Sequence, residues 1–268
     1  MFVYTFWEPR ENIPFYLRLC METWKKFLPN ATIVVLDYKN IGEFLDVREL
    51  GLNLFSDKRF SLMHVADAIR IALLAKYGGV WLDADTIVLN SNAEKYFLPD
   101  EKHRTIFFGD TENRSPRICF FNTPPCSMCM NLWREFIREQ IWNLKPETFI
   151  NWDFLGNKFI DKYAQLHSDE IKIIDMNLAM PELKLMSESV TYRQSYPIYY
   201  FLQNHHLADV EVDMLLLHNS WTPDAFKNLS PEEFLRCDCT MTNVLAEALE
   251  ITLPPPHLRF QIKVENQK

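Results

Sequence analysis

SLMHVADAIRIALLAKYGGVWLDADTIVL, running from Ser61 to Leu89, is the stretch from which the rest of the chain can be placed. From Ser61 to Tyr77 almost every residue is apolar except His64, Asp67, Arg70 and Lys76, so a helix here must bury most of its cylinder. Gly78 and Gly79 stop it, a strong signal in a chain with only 6 glycines. Val80 to Leu89 then reads as a strand interrupted at its middle. His64, Asp67 and Arg70 fall at i, i+3 and i+6, one narrow polar stripe on an apolar helix. Charge in an interior is heavily penalised unless partnered. A plain Asp67–Arg70 pair is one answer, worth about 0.2–0.5 kcal/mol when exposed on a helix. The neighbouring Asp83-Ala84-Asp85 suggests another. In extended chain, side chains two apart share a face, and two carboxylates there repel unless a cation lies between them. Such an oxygen-rich site suits Mg²⁺ or Mn²⁺ completed by phosphate oxygens and water. A solvated turn is the plain alternative for an isolated Asp-x-Asp, but the apolar frame of Val80-Trp81-Leu82 before it and Thr86-Ile87-Val88-Leu89 after it argues for burial.

Outward from this segment, extended apolar runs alternate with helical ones, the order of an α/β domain. Strands are predicted at Phe2 to Trp7, Thr32 to Asp37, Arg104 to Gly109, Arg117 to Phe121, Ile171 to Asp175, Thr191 to Phe201 and Val212 to His218. Asn12 and Pro14 open a helix whose Phe15, Leu19, Cys20, Trp24, Phe27 and Leu28 share one face; Ser127 caps another, and a third lies near Val244 to Leu249. Residues 223–268 turn Ser/Pro/Glu-rich and then partly helical, as a carboxy-terminal appendage would.

At 268 residues with 48% hydrophobic content the chain can form one large core, and a single compact unit is expected. A formal net charge of -8 excludes a nucleic-acid binder that works by neutralising a phosphate backbone. The amino-terminal residues lack the basic region and cleavage site of a secretory signal, and no apolar run approaches the roughly 20 residues that span a bilayer. A cytoplasmic protein is expected, with peripheral association at the inner face of the membrane open to it. There its 6 cysteines stay reduced, and the Cys126/Cys129 and Cys237/Cys239 pairs serve as small core residues rather than a zinc site.

The order Asp67-x-x-Arg70 followed by Tyr77-Gly78-Gly79-Val80-Trp81-Leu82-Asp83-Ala84-Asp85 resembles the DxxR…YGGxYxDxD pattern of DXD-containing glycosyltransferases, the capsular polysaccharide synthesis and family-32-like group. Tyr4-Thr5-Phe6-Trp7, the Trp24-Lys25-Lys26-Phe27-Leu28-Pro29 helix end and His218-Asn219-Ser220-Trp221 extend the likeness over about residues 2 to 222. The resemblance implies a GT-A type domain at 1–222, with a Rossmann-like mixed sheet flanked by helices. It further implies transfer of a hexose from a nucleotide sugar, UDP-hexose by default, to an oligosaccharide or lipid-linked glycan acceptor, with retention of configuration. Asp85 would ligate Mn²⁺ or Mg²⁺, Asp83 would share the metal or hold the ribose, and Asp67 and Arg70 would hold donor-sugar hydroxyls and phosphate. His218 would be a third metal ligand, and Ser220 and Trp221 would donate to the β-phosphate. Thr5, Trp7 and Asp37, near the ends of the first two strands, would meet the nucleoside. Asp153, in Asn151-Trp152-Asp153-Phe154, would contact the acceptor, although Leu155-Gly156 departs from the Gly-Pro of the larger family. His64 reads as a packed, hydrogen-bonded histidine, and His205-His206 as loop.

Two rivals share these residues. Leu82-Asp83-Ala84-Asp85-Thr86 also fits the nucleophile motif of haloacid dehalogenase-type phosphatases, but that motif opens its domain and here two strands precede it. A non-catalytic glycan-binding subunit would have no need of the intact stripe and acidic pair.

Overall fold

The computed structural model describes residues 1–50 and 53–262, so 263–268 of the expected appendage lie outside the described residues. Among the described residues eight strands form two sheets: β1 (Phe2–Phe6), β2 (Thr32–Leu36), β3 (Gly79–Leu82), β4 (Thr86–Val88), β5 (Thr105–Asp110), β6 (Ser115–Thr123), β7 (Ile171–Asp175) and β8 (Met214–Leu216). The contacts resolve the chain into two compact units. One comprises Met1–Glu11, Asn30–Asp83 and Lys95–Met176, the other Asn12–Pro29, Ala84–Glu94 and Asn177–Lys268.

The first unit is a mixed α/β layer built on a six-stranded sheet in the order β2-β1-β3-β6-β5-β7. β1 runs parallel to β2 and β3, β6 is antiparallel to β3 and β5, and β7 is parallel to β5. Val80, Trp81 and Leu82 are all buried, as a central strand covered on both faces requires. The Leu62–Tyr77 helix packs on β1, β3 and the Met128–Trp142 helix and buries side chains almost all round. Ser61 and His64 close its first turn as a capping box. Gly78 ends it at φ 65, donating to the Leu74 carbonyl at 2.9 Å. Ser127 caps the Met128–Trp142 helix as expected, and Ile171–Asp175 has the predicted bounds.

The second unit joins the Phe15–Phe27 helix to an antiparallel β4–β8 pair and a set of short helices. The helix completes β4's edge with side chains: Trp24 Nε1 donates to the Thr86 carbonyl at 2.7 Å, and the Val88 N–H donates to Thr23 Oγ1 at 3.0 Å. Phe15 and Tyr16 pack on Phe234 and Phe226, and Lys26 Nζ reaches the Ala248 carbonyl at 2.9 Å. Residues 223–262 are thus part of this unit's packing.

Three expectations need correction. The Val80–Leu89 strand, read as interrupted at its middle, is two strands in separate sheets, β3 and β4. Ala84 and Asp85 form a turn between them, so Asp83 and Asp85 are not alternate residues of one extended segment. Thr191–Phe201 is no strand: Tyr192–Pro197 is a helix continued by a π-helical turn, Ile198–Leu202. Its aromatic residues favour strands, but a Thr191–Gln194 capping box starts a helix, and Ser195, Tyr196, Tyr199 and Tyr200 are then buried at helical spacing.

Two measurements test this packing. A Cβ on Gly78 would lie 2.5 Å from the Pro125 nitrogen at a positive φ. Gly78→Ala should therefore lower stability by well over about 1 kcal/mol in urea unfolding, and an unchanged midpoint would contradict the packing. Glu182 is fully buried and accepts from the Tyr200 hydroxyl at 3.0 Å, and burial pushes its carboxyl up from 4.5 to about 7. Between those values the unfolded chain releases this proton while the folded chain keeps it, so stability falls as pH rises through the window. Glu182→Gln should gain on the native protein by up to roughly 3 kcal/mol on going from about pH 4 to about pH 8, and an equal difference at both would refute it.

Candidate active site

In the first unit the polar stripe meets Asp83, the first residue of the acidic motif. Arg70 reaches from the Leu62–Tyr77 helix to lie 4.9 Å over the Trp81 ring. Its Nη2 is 3.3 Å from Asp67 Oδ1, and its Nη1 is 3.3 Å from Asp83 Oδ1 and donates to the Ile118 carbonyl. Trp81 Nε1 donates to Asp83 Oδ1 at 2.8 Å, and the Asp83 N–H donates to the Cys119 carbonyl at 2.8 Å. Asp67 and Arg70 are buried, while Asp83 is partly open.

One guanidinium faces two carboxylates, so the group is short of positive charge in a poorly solvated place. Burial raises Asp67 to about 7, against the pull of Arg70 and with a further push from Asp83. Asp83 is likewise raised by burial, with Arg70 opposing. Arg70 Nε is buried without a hydrogen-bond partner, and Asp67 Oδ1 has no hydrogen bond of its own. Hydroxyl groups, which donate to carboxylates and accept from guanidinium, are what such a group lacks.

The wall around Asp67 depends on two residues outside the motif. The Ser61 N–H donates to His64 Nδ1 at 3.0 Å, which leaves Nε2 to donate to the Asn151 carbonyl at 2.8 Å. Both ring nitrogens are engaged and the side chain is buried, so His64 is the packed, hydrogen-bonded histidine that the sequence suggested. The anchored segment carries Gly156 against the carboxylate: a Cβ there would be 3.1 Å from Asp67 Oδ2. Nothing in the sequence singles Gly156 out for this contact; the departure from Gly-Pro only marked the place.

Thr5 Oγ1 and Trp7 Nε1 are buried without a hydrogen-bond partner at the end of β1. Asp37 is committed to its own turn, with Oδ1 accepting from the Lys39 and Asn40 N–H groups at 2.8 and 2.9 Å and Oδ2 3.9 Å from Arg10. Asp153 is 3.5 Å from Lys158 Nζ.

In the second unit Asp85 is buried and accepts from the Asn219 N–H, while Tyr16 donates to Asn219 Oδ1. His218 Nε2 lies 2.7 Å from the Tyr192 hydroxyl, and its ring is 4.0 Å from that of Trp221. The Tyr196 hydroxyl and Thr222 Oγ1 are 2.9 Å apart, and Thr222 Oγ1 donates to the His218 carbonyl at 3.2 Å. Ser220 is exposed. The structure thus brings Asp85, His218 and Trp221 into one neighbourhood of this unit, with Tyr16, Tyr192 and Asn219 in support. These three escape sequence reading: Asn219 acts through its backbone, Tyr16 comes from the first helix, and Tyr192 lay in the misread strand.

Among the described residues no three His, Cys, Asp or Glu side chains form a self-sufficient metal cluster. An ion bound by one or two carboxylates and a substrate's phosphates needs none. Carboxylate oxygen from Asp85 and imidazole nitrogen from His218 are a donor set that fits Mn²⁺.

If Arg70 is what makes the buried Asp67 and the partly open Asp83 tolerable side by side, Arg70→Met should cost about 3–5 kcal/mol. Asp67→Asn/Arg70→Met should then recover part of the loss. Thermal melts of both variants decide it, and a near-neutral Arg70→Met would contradict the electrostatic account.

Residues 2–123 match the family model described as capsular polysaccharide synthesis protein. No curated protein matches the chain in sequence. Among solved structures, the PaToxG glycosyltransferase is 12% identical at a TM-score of 0.45, covering 62% of this chain and 68% of that one. Apo GlyE of Streptococcus pneumoniae TIGR4 is 10% identical at 0.47, covering 97% and 65%. The galactosyltransferase LgtC with donor and acceptor sugar analogues is 12% identical at 0.44, covering 96% and 98%. The segment matched by the family model contains the polar-striped helix, the glycine doublet and both aspartates of the acidic motif, and it ends before the His218 cluster.

Proposed function

We propose that this chain is a GT-A type glycosyltransferase of cell-surface polysaccharide synthesis. It transfers a hexose from a nucleotide sugar, UDP-hexose by default, to an oligosaccharide or lipid-linked glycan. The observation that carries the reading is the Asp67–Arg70–Asp83 group, a buried and a partly open carboxylate on one buried cation, with Asp83 the first residue of the Asp-x-Asp motif. The family match over residues 2–123 supports it from sequence.

In this reading Asp67 accepts from donor-sugar hydroxyls, and Arg70, already oriented by Trp81 and Ile118, offers its remaining donor face to sugar and phosphate. Thr5, Trp7 and Asp37 meet the nucleoside, with the open Thr5 and Trp7 donors used first. Asp85 and His218 hold Mn²⁺ or Mg²⁺, and Asp83, two residues before Asp85 in the chain, shares the ion or takes the ribose. Bound there, the ion supplies Lewis-acid stabilisation to the diphosphate as the bond to the sugar breaks. Ser220 and Trp221 donate to the departing β-phosphate, and Tyr192 fixes the His218 ring. Asp153 contacts the acceptor. Attack on the same face as the departing phosphate gives retention, with that phosphate taking the acceptor proton, so no separate general base is assigned. In this reading the reaction runs in the cytoplasm. No helix of the described residues is long and apolar enough to cross a membrane.

Thermal-shift measurements with UDP, GDP and CMP, each with Mn²⁺ and with EDTA, test the reading. A ligand that binds only the folded state raises its melting temperature by mass action. One nucleotide should stabilise the protein in Mn²⁺ and not in EDTA, and a flat response to all of them would count against a nucleotide-sugar donor.

A further inference from the structure

Two thiols of the second unit stand in contact, and the transferase reading uses neither. Cys237 follows the Pro231–Arg236 helix, Cys239 precedes the Thr240–Ala248 helix, and both are fully buried. Cys237 Sγ donates to Cys239 Sγ at 3.7 Å, and Thr242 Oγ1 lies 3.5 Å from Cys239 Sγ. Thiols often fill cores as small apolar groups, but such packing asks for no contact between two sulfurs. Here the contact makes the pair unequal. Donation to Cys239, together with burial, holds the Cys237 thiol well above the usual thiol range. Burial alone would raise Cys239 too, but Cys237, Thr242 and the N–H groups of the helix's first turn bring it below that range. One sulfur is disposed to be a thiolate and its neighbour carries a proton, the division of labour of a dithiol in which one sulfur attacks and the other resolves.

A short strap shields the pair. Residues 256–262 run past Cys237, and the backbone of Ile262 reaches its sulfur. The Phe260 N–H donates to the Arg236 carbonyl at 2.8 Å, and the Asp238 N–H donates to the Phe260 carbonyl at 2.7 Å. Arg259 pins the strap from the side: its Nη2 donates to the Cys237 carbonyl at 2.9 Å and to Asn243 Oδ1, and lies 3.2 Å from Asp238 Oδ1. Pro256, His257, Leu258 and Gln261 are exposed, so polar bonds rather than a buried apolar face hold most of the strap down. Segments attached in this way open without the rest of the fold.

We infer that Cys237 and Cys239 form a redox site, which a hydroperoxide oxidises to an intrachain disulfide when the 256–262 strap lifts. The Cys239 thiolate attacks a peroxide oxygen, the O–O bond breaks, and the departing oxygen takes up the proton that Cys239 had released, leaving as water or an alcohol. Cys237 then attacks the sulfenic sulfur of Cys239. The S–S bond forms as the S–O bond breaks, and the hydroxyl leaves as water with the Cys237 proton. Two electrons pass from the sulfurs to the peroxide. The sulfurs have only to close from 3.7 Å to the roughly 2.0 Å of a disulfide. The inference goes beyond the transferase reading and is tested without nucleotide or acceptor, so either can fail alone.

The test treats the reduced full chain with hydrogen peroxide, quenches it in acid, alkylates it under denaturing conditions and digests it without reductant for mass spectrometry. The peptide that carries both cysteines should emerge unalkylated and lighter by two hydrogens, and dithiothreitol before alkylation should return it to the doubly alkylated form. Cys237→Ser should strand Cys239 as a sulfenic acid that dimedone captures, whereas Cys239→Ser should leave Cys237 a free thiol. Arg259→Ala, which unpins the strap, should speed formation of the disulfide by roughly tenfold or more, while the exposed Cys126 reacts at an unchanged rate. Cys237 and Cys239 both still alkylated after a treatment that fully oxidises Cys126 would overturn the inference. A disulfide that forms no faster in Arg259→Ala would overturn it as well, as would one that joins either cysteine to a different partner.

Discussion

Arg70 lies over the Trp81 ring with Asp67 on one side and Asp83 on the other, and this ion-paired group ties the polar-striped helix to the strand that follows it. A charge stripe on an otherwise apolar helix is tolerable only because the end of β3 returns the Asp83 carboxylate, itself held by the Trp81 indole N–H, and Ile118 of β6 returns a backbone carbonyl. The Gly78-Gly79 turn makes that return possible, since both glycines have positive φ and Gly78 sits too close to the Pro124–Pro125 backbone for a side chain. Helix, turn and strand therefore form one device whose product is a cation with two carboxylates around it.

That device is poised rather than balanced. Burial holds Asp67 near neutrality in charge preference, and the second carboxylate adds to the push. Perturbed groups of this kind concentrate at functional sites, and in the proposed reading sugar hydroxyls would supply the missing donors. The second unit holds a complementary set, a buried carboxylate on a backbone N–H beside a histidine oriented by a tyrosine. The tyrosine hydroxyl fixes the orientation of that imidazole ring.

Legibility in the sequence followed the strength of each local signal. The Leu62–Tyr77 helix was plain because a capping residue, an apolar cylinder and a glycine stop all agree, and β7 was plain because its apolar run has sharp edges. The mixed α/β layer with helices about its sheet follows from such segments. Tyr192 to Phe201 misled because aromatic composition favours strands, whereas burial at helical spacing appears only once the chain is packed. An interruption in the middle of Val80 to Leu89 was legible, but not that the apolar residues on its two sides enter different sheets, since sheet partners are set by distant segments. Within the site, the stripe at i, i+3 and i+6 announced Asp67 and Arg70. Contributions made by backbone or by the lack of a side chain, from the Asn219 N–H, the Ile118 carbonyl and Gly156, leave no such pattern.

The central claim is that the acidic motif holds a nucleoside diphosphate through a divalent ion. It is tested most directly by calorimetric titration of UDP, GDP or CDP into the native protein and into Asp85→Asn, in Mn²⁺ and in EDTA. The account predicts binding of one of the three by the native protein in Mn²⁺ alone, and its loss in the variant with the melting temperature preserved. Equal affinity in EDTA, or an Asp85→Asn protein that binds as the native one does, would contradict it.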